Sequence, residues 1–254
     1  MTNRLLSAPV LAGLSLFIGI VLCGVVGGGS WEPVAGACWY PVDLERAPGP
    51  LEVFRQRQGR RELATLEVTA YPYPTEKLTL KDDRHVNLSP ADLARSQREQ
   101  ALVSKVLRLL TPLRFELPLG APLSALPQAG RFGSRRVFNG QPRSPHSGAD
   151  FRATVGTPVF AAADGRVALA GEHFFSGNSV FLDHGDGLIS MSFHLSKISV
   201  AEGAEVKRGE KIGEVGATGR VTGPHLHFGL RWHGARIDPM LLLGPVAEVP
   251  SLPN

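Results

Sequence analysis

GRVALAGEHFFSGNSVFLDHGDGLISMSFH, residues 165–194, is the stretch on which the fold turns. Three short apolar runs, 165–170, 179–183 and 188–194, are separated by Gly, Ser, Asn and Asp, which is the punctuation of strands rather than helices. Between the last two, Asp183, His184, Gly185, Asp186 and Gly187 have the turn chemistry of a hairpin loop. Further runs of the same form lie at 157–162, 211–215 and 225–232. An all-β domain is therefore predicted for residues 124–245.

The side chains able to do chemistry fall in three places within that domain. Ser144, Pro145, His146, Ser147, Gly148, Ala149 and Asp150 set an imidazole and a carboxylate four residues apart, on one side of an extended segment. Pro224, His225, Leu226, His227 and Phe228 put two imidazoles on one strand face and two apolar side chains on the other. Phe193, His194, Leu195 and Ser196 add an imidazole at a strand end. Two histidines and a carboxylate satisfy a catalytic zinc, which takes three protein ligands and keeps a fourth position open. Each signal arises often by chance alone, but three in one β domain, two of them beside glycine or proline, are hard to assign to structure only. His85, His173, His184 and His233 read as surface or supporting residues. Asp183 and Asp186 could be offered as calcium ligands, but hairpin chemistry explains them more simply.

Residues 135–150 (RRVFNGQPRSPHSGAD), 193–196 (FHLS) and 218–229 (TGRVTGPHLHFG) together resemble the lysostaphin and LytM type zinc endopeptidases, a likeness that covers about residues 130–243. The resemblance implies a barrel-like fold around an antiparallel sheet, with one zinc ion (Zn2+) held by His146, Asp150 and His227. By the same carry-over His194 and His225 form the catalytic pair, without deciding which is the base. It also implies peptidoglycan stem peptides as substrate and an amide of the peptide cross-link as the bond cut; in the periplasmic setting that the single N-terminal apolar segment suggests, the bond would be D-alanyl to diaminopimelyl. Ser192 stands where that family often has tyrosine, which puts a substrate contact in question rather than the metal set. The complete set of five polar residues favours an enzyme over relatives that only bind cell wall or activate other hydrolases, the alternative carried here. D-Alanyl-D-alanine peptidases need a Glu three residues before the last His, which this chain lacks. Residues 200–216 resemble half of a biotinyl or lipoyl carrier, but Lys197, Lys207 and Lys211 lack the neighbours a carrier lysine needs.

Upstream, residues 1–30 carry Arg4 and then no charge from Leu5 to Gly29, the pattern of a cleaved signal peptide or an uncleaved membrane anchor. Either sends the chain to or through the cytoplasmic membrane, with a periplasmic location expected. Residues 31–88 read as a small β-rich module or spacer, with strands at 51–54, 63–70 and 77–80. A linker helix is predicted over 89–112, with Ser89 as N-cap, Pro90 at the first position, and Leu102, Val103, Val106, Leu107 and Leu110 at helical spacing. The net charge of +4 and pI near 9.3 fit an anionic polymer such as cell wall, whereas the absence of basic runs speaks against nucleic acid. With Cys23 inside the apolar run and only Cys38 beyond it, folding cannot rest on an internal disulfide. No pattern names a regulatory partner.

Overall fold

The computed structural model describes residues 9–10, 16–20, 37–57, 60–80, 83–127 and 132–244. The N-terminal part comprises β1 (Pro9–Val10), β2 (Leu16–Ile20), β3 (Ala37–Pro41), β4 (Gly49–Arg57), β5 (Arg60–Val68) and β6 (Thr75–Leu78). Helix α1 (Pro90–Val106) follows, then β7 (Arg135–Phe138), β8 (Gln141–Pro142), β9 (Gly148–Phe151) and β10 (Pro158–Phe160). The C-terminal part holds β11 (Gly165–His173), β12 (Gly177–Asp183), β13 (Leu188–Ile198), β14 (Glu205–Val206), β15 (Lys211–Val215), β16 (Leu226–Trp232), β17 (Ala235–Ile237) and the short helix α2 (Met240–Leu243).

Strands β9 to β17 form one nine-stranded antiparallel sheet, with β10-β15-β13-β12-β11-β14 in order and β16, β17 and β9 branching from β13. The expected barrel does not close. Among the described residues β10 pairs only with β15, and β14 only with β11. The cause lies in β13, whose eleven residues serve β12 along one edge while the other edge is divided between β16, which pairs with residues 188–193, and β15, which pairs with residues 195–198. Register shifts between Asn178 and Val180 and between Leu195 and Lys197 accompany the division. A strand bent at bulges splays its partners into a branched sheet instead of carrying one ladder around a cylinder.

Phe151, Val159, Leu182, Leu188, Leu195, Leu230 and Trp232 are buried in the main core. The hairpin expected at residues 183–187 joins β12 to β13, with Gly185, Asp186 and Gly187 all at positive φ and Asp183 Oδ1 accepting the Gly185 N–H at 3.0 Å. The other carboxylate oxygen takes the Thr111 hydroxyl at 2.9 Å, so this acid is engaged in turn and tether bonds.

Helix α1 begins as its cap predicts, with Ser89 Oγ accepting the Asp92 N–H at 3.1 Å, but it ends at Val106 rather than near residue 112. Tertiary bonds explain the early stop, because Thr111 is drawn onto the β12–β13 hairpin through its hydroxyl and through its carbonyl, which accepts the Asp186 N–H. A chain held there cannot continue along the helix axis.

The upstream module docks on the sheet domain. Trp39 lies in the main core and its ring stands 6.1 Å from that of Trp232. Asp43 accepts from Arg236 through both oxygens, at 2.5 and 3.0 Å. Strand β6 pairs parallel with β7. The strands expected at 51–54, 63–70 and 77–80 correspond to β4, β5 and β6. Most of the apolar segment 1–30 lies outside the described residues. Its described pieces are strands, β2 pairing antiparallel with β3. Among the described residues no helix is long and apolar enough to cross a membrane.

Candidate metal centre

Strand register assembles the site. In the β9–β16 ladder Asp150 lies directly opposite His227, and in the β13–β16 ladder Phe193 lies opposite the same histidine. Directly opposed residues share a face with their Cβ atoms about 4.5–5.5 Å apart. This row therefore sets carboxylate, imidazole and phenyl side by side. The phenyl ring of Phe193 stacks on the imidazole of His227, with centroids 5.2 Å apart and planes 10° apart, which limits its rotation. His146 enters from just before β9, its backbone N–H bonded to the Ser134 carbonyl at 2.9 Å.

Three ligand atoms converge. His146 Nε2 is 2.9 Å from Asp150 Oδ1 and 3.0 Å from His227 Nδ1, and the last two atoms are 2.7 Å apart. All three residues are buried or nearly so. Three lone-pair atoms aimed at one point repel unless protons or a cation lie among them. A tetrahedral zinc at roughly 2.0–2.1 Å asks for donors about 3.3 Å apart, so this set accepts one by opening about half an ångström. The donor set thus fits a divalent metal ion.

The electrostatics agree. Burial by itself raises the Asp150 carboxyl, but hydrogen bonds from His146 and His227 outweigh it and hold the group well below the usual carboxylate range. Burial lowers His227 to about 4, so its imidazole is neutral at neutral pH, and the Nδ1 proton it gives to Asp150 is the one a metal ion would displace.

His194 and His225 stand beside this set with ring centroids 4.9 Å apart. His194 Nδ1 lies 2.8 Å from the Thr218 carbonyl, and His225 Nδ1 lies 2.8 Å from the Gly223 carbonyl. A carbonyl only accepts, so each Nδ1 carries a proton, which leaves Nε2 as the acceptor in the neutral form of either ring. His225 Nε2 faces the metal set, 3.7 Å from Asp150 Oδ1. Burial, then the proximity of His227 and His225, pulls His194 down to about 3. Its backbone is in the left-handed region, at φ 64°, at the bulge where β13 changes partners. A non-glycine residue there costs of order 1 kcal/mol or more and is held by its surroundings.

All five expected side chains are therefore brought together. Arg136, which no local signal marks as part of the site, joins it: its guanidinium pairs with Asp150 Oδ2 at 2.5 Å and lies 3.7 Å from Glu76 of β6. Its place in the quoted segment was visible, but its partner follows only from the β6–β7 pairing. Of the histidines expected at the surface or in support, His173 and His184 take the supporting role and are interior. His184 is fully buried between the Asp164 carbonyl and the Ser190 hydroxyl, and His173 is buried against the Ser179 hydroxyl. A buried imidazole bonded at both ring nitrogens, as His184 is, serves the fold. Ser192 is buried in β13.

Comparisons with known proteins bear on the same region. Residues 144–239 match peptidase family M23. A crystal structure from Pseudomonas aeruginosa assigned to peptidase M23 superposes with a TM-score of 0.66 at 32% identity, covering 95% of this chain and 97% of that one. Among curated proteins, the peptidoglycan DD-endopeptidase ShyA of Vibrio cholerae is 42% identical over 121 residues, 47% of this chain and 28% of that protein. The DD-carboxypeptidase/endopeptidase Mpg of Neisseria meningitidis is 44% identical over 104 residues, 41% of this chain and 24% of that protein. The shared region thus spans about a quarter of the length of these curated relatives.

Proposed function

This chain belongs to peptidase family M23, and we infer that it is a zinc-dependent endopeptidase that hydrolyses amide bonds in the peptide cross-links of peptidoglycan. One observation carries the reading. Three ligand atoms lie within 3.0 Å of one another, with two further imidazoles beside them, each anchored through Nδ1 to a backbone carbonyl. His146, Asp150 and His227 would hold the metal, and His194 and His225 would handle protons. When bound, zinc supplies Lewis acidity, polarising the amide carbonyl and acidifying water.

The residues do the rest. Phe193 and Arg136 keep His227 and Asp150 aimed at the centre. The backbone carbonyls of Thr218 and Gly223 hold the catalytic rings by Nδ1, which leaves Nε2 of each to accept a proton. One of these nitrogens takes a proton from the attacking water. A protonated imidazole of the pair can then stabilise the oxyanion or pass its proton to the leaving amine. The D-alanyl to diaminopimelyl bond and a periplasmic setting are our assignments, supported by the basic charge and the similarity to the DD-endopeptidase. Residues 1–30 serve in this reading as the signal or anchor, 31–88 as a β module, 89–112 as the helical linker and 124–245 as the catalytic domain.

The test is incubation of the full chain with isolated peptidoglycan, with zinc and with chelator, followed by mass spectrometry of the products. Chelator-sensitive loss of cross-linked dimers is expected. Intact dimers after incubation with folded, zinc-loaded protein would overturn the enzyme in favour of a binding or activating role.

A further inference from the structure

A groove of about 490 Å³ opens beside the metal centre. Glu99 and Val103 of α1 line one side, and Phe175, Phe193, Arg143 and Arg220 line the other. It adjoins the site, because the Phe193 ring that forms part of its wall is stacked on His227. Arg220 lies in the same loop as His225, and its backbone N–H bonds to the Phe175 carbonyl at 2.9 Å.

The charges in this groove do not balance. Glu99 is occupied by the Arg95 guanidinium and by the Phe174 N–H, both at 2.7 Å. Arg143 is bonded to the Pro142 and Val86 carbonyls and to Gln141. Arg136 is paired with Asp150. The guanidinium of Arg220 is different. It is held between the rings of Phe138 and Phe175, 4.8 and 4.7 Å from their centroids, and among the described residues no acid or hydrogen-bond acceptor engages it. Two aromatic faces fix its plane and leave its N–H edge to the groove. Burial, then the charges of Arg143 and Arg136, lowers it to about 10, so it remains a cation that lacks an anion.

We propose that this groove is a substrate subsite and that Arg220 receives a peptide carboxylate there, positioning the neighbouring amide at the metal centre. The proposal rests on the peptidase reading above and adds a specificity residue to it. A planar guanidinium whose orientation is already set loses little entropy when it forms two parallel hydrogen bonds to a carboxylate. In a stem peptide that group is either the terminal carboxylate or the one on an acidic or diamino-acid side chain. The two share one chemistry, and the test separates them.

Three synthetic cross-linked dimers serve as probes: one native, one with its terminal carboxylates amidated, and one with its side-chain carboxylates amidated. Binding to the full chain is measured by calorimetry in chelator, where no hydrolysis occurs, and cleavage is measured with zinc. Wild type should bind the native dimer about ten- to a hundredfold more tightly than one of the amidated forms, as a charge-assisted pair predicts. That form identifies the carboxylate. In R220Q the ratio should fall to near one, and R220K, which keeps charge but not the planar fork, should fall between. Each ratio is taken within one variant, so a general loss of folded protein does not imitate the result. A wild-type ratio of one, the same ratio in R220Q, or no binding of the native dimer overturns the subsite. Zinc-dependent cleavage without discrimination overturns the subsite and leaves the peptidase standing. Discrimination in binding without cleavage does the reverse.

Discussion

Replacing Gly148 by Ala should disable the centre while leaving every ligand residue in place. An added Cβ would lie 2.5 Å from the Phe228 carbonyl oxygen and 2.8 Å from His227 Nε2. The first neighbour is backbone and the second is a ring pinned by Phe193, so neither can swing aside. Relief to an ordinary separation of about 3.3 Å requires β9 and β16 to part by about 0.8 Å at this point. Asp150 and His227 lie two residues along the same ladder, with ligand atoms 2.7 Å apart, and would be carried apart or skewed by a similar amount. A displacement approaching 1 Å costs roughly a hundredfold in rate, and overpacking costs about 1–3 kcal/mol of stability. The assay is kcat/KM on cross-linked dimers, with zinc affinity by competition against a chelator and Tm in the same buffer. Gly171→Ala is the control, because its Cβ meets nothing within 4 Å in strand β11, and it should leave both site readouts within about twofold. Activity and zinc affinity within about threefold of wild type in G148A would refute the argument that this close approach holds the ligands.

Other consequences follow from the same geometry. His194→Ala and His225→Ala should each lower kcat by roughly 10²–10⁴-fold while zinc stoichiometry by atomic absorption stays at one; loss of metal from either variant would make that residue a ligand instead. In metal-free protein the folded-state pKa values of His194, about 3, and His227, about 4, lie below the unfolded value of 6.5. Their contribution to stability is therefore complete above pH 6.5 and is lost as pH falls towards 4, with Asp150 acting in the same direction. Urea midpoints in chelator should drop between pH 7 and pH 4.5, and an unchanged midpoint would count against neutral, buried imidazoles. Trp39→Ala, at a position 2% exposed, should cost about 3–5 kcal/mol by urea denaturation, because it removes core of the sheet domain. A cost below about 1 kcal/mol would show that the upstream module is only a tether.

Much of the site was legible because its signals are local. A strand alternates faces every two residues, so His225 and His227 had to lie together whatever the rest of the chain did. Turn chemistry identified the 183–187 hairpin for the same reason, since an acid bonding its own backbone and glycines at positive φ need no distant partner. The strand at 211–215 was bounded correctly, whereas β11 and β13 run on to His173 and Ile198 because pairing partners extend them past their apolar runs.

Contacts between distant segments belong to the folded chain alone. Sequence spacing could not say that Asp150 pairs across a ladder with His227, that Arg136 of β7 completes Asp150 beside β6, or that Trp39 belongs to the same core as Trp232. Nor could it say that helix α1 would stop at Val106, because helical spacing continues to Leu110 and the bonds that end the helix come from a hairpin more than seventy residues later. The open sheet and the left-handed backbone of His194 have one origin in the divided pairing of β13, which depends on two partners at once. Alternation and turns are properties of neighbours in the chain. Register, closure and charge balance are properties of neighbours in space, which exist only after the chain has folded.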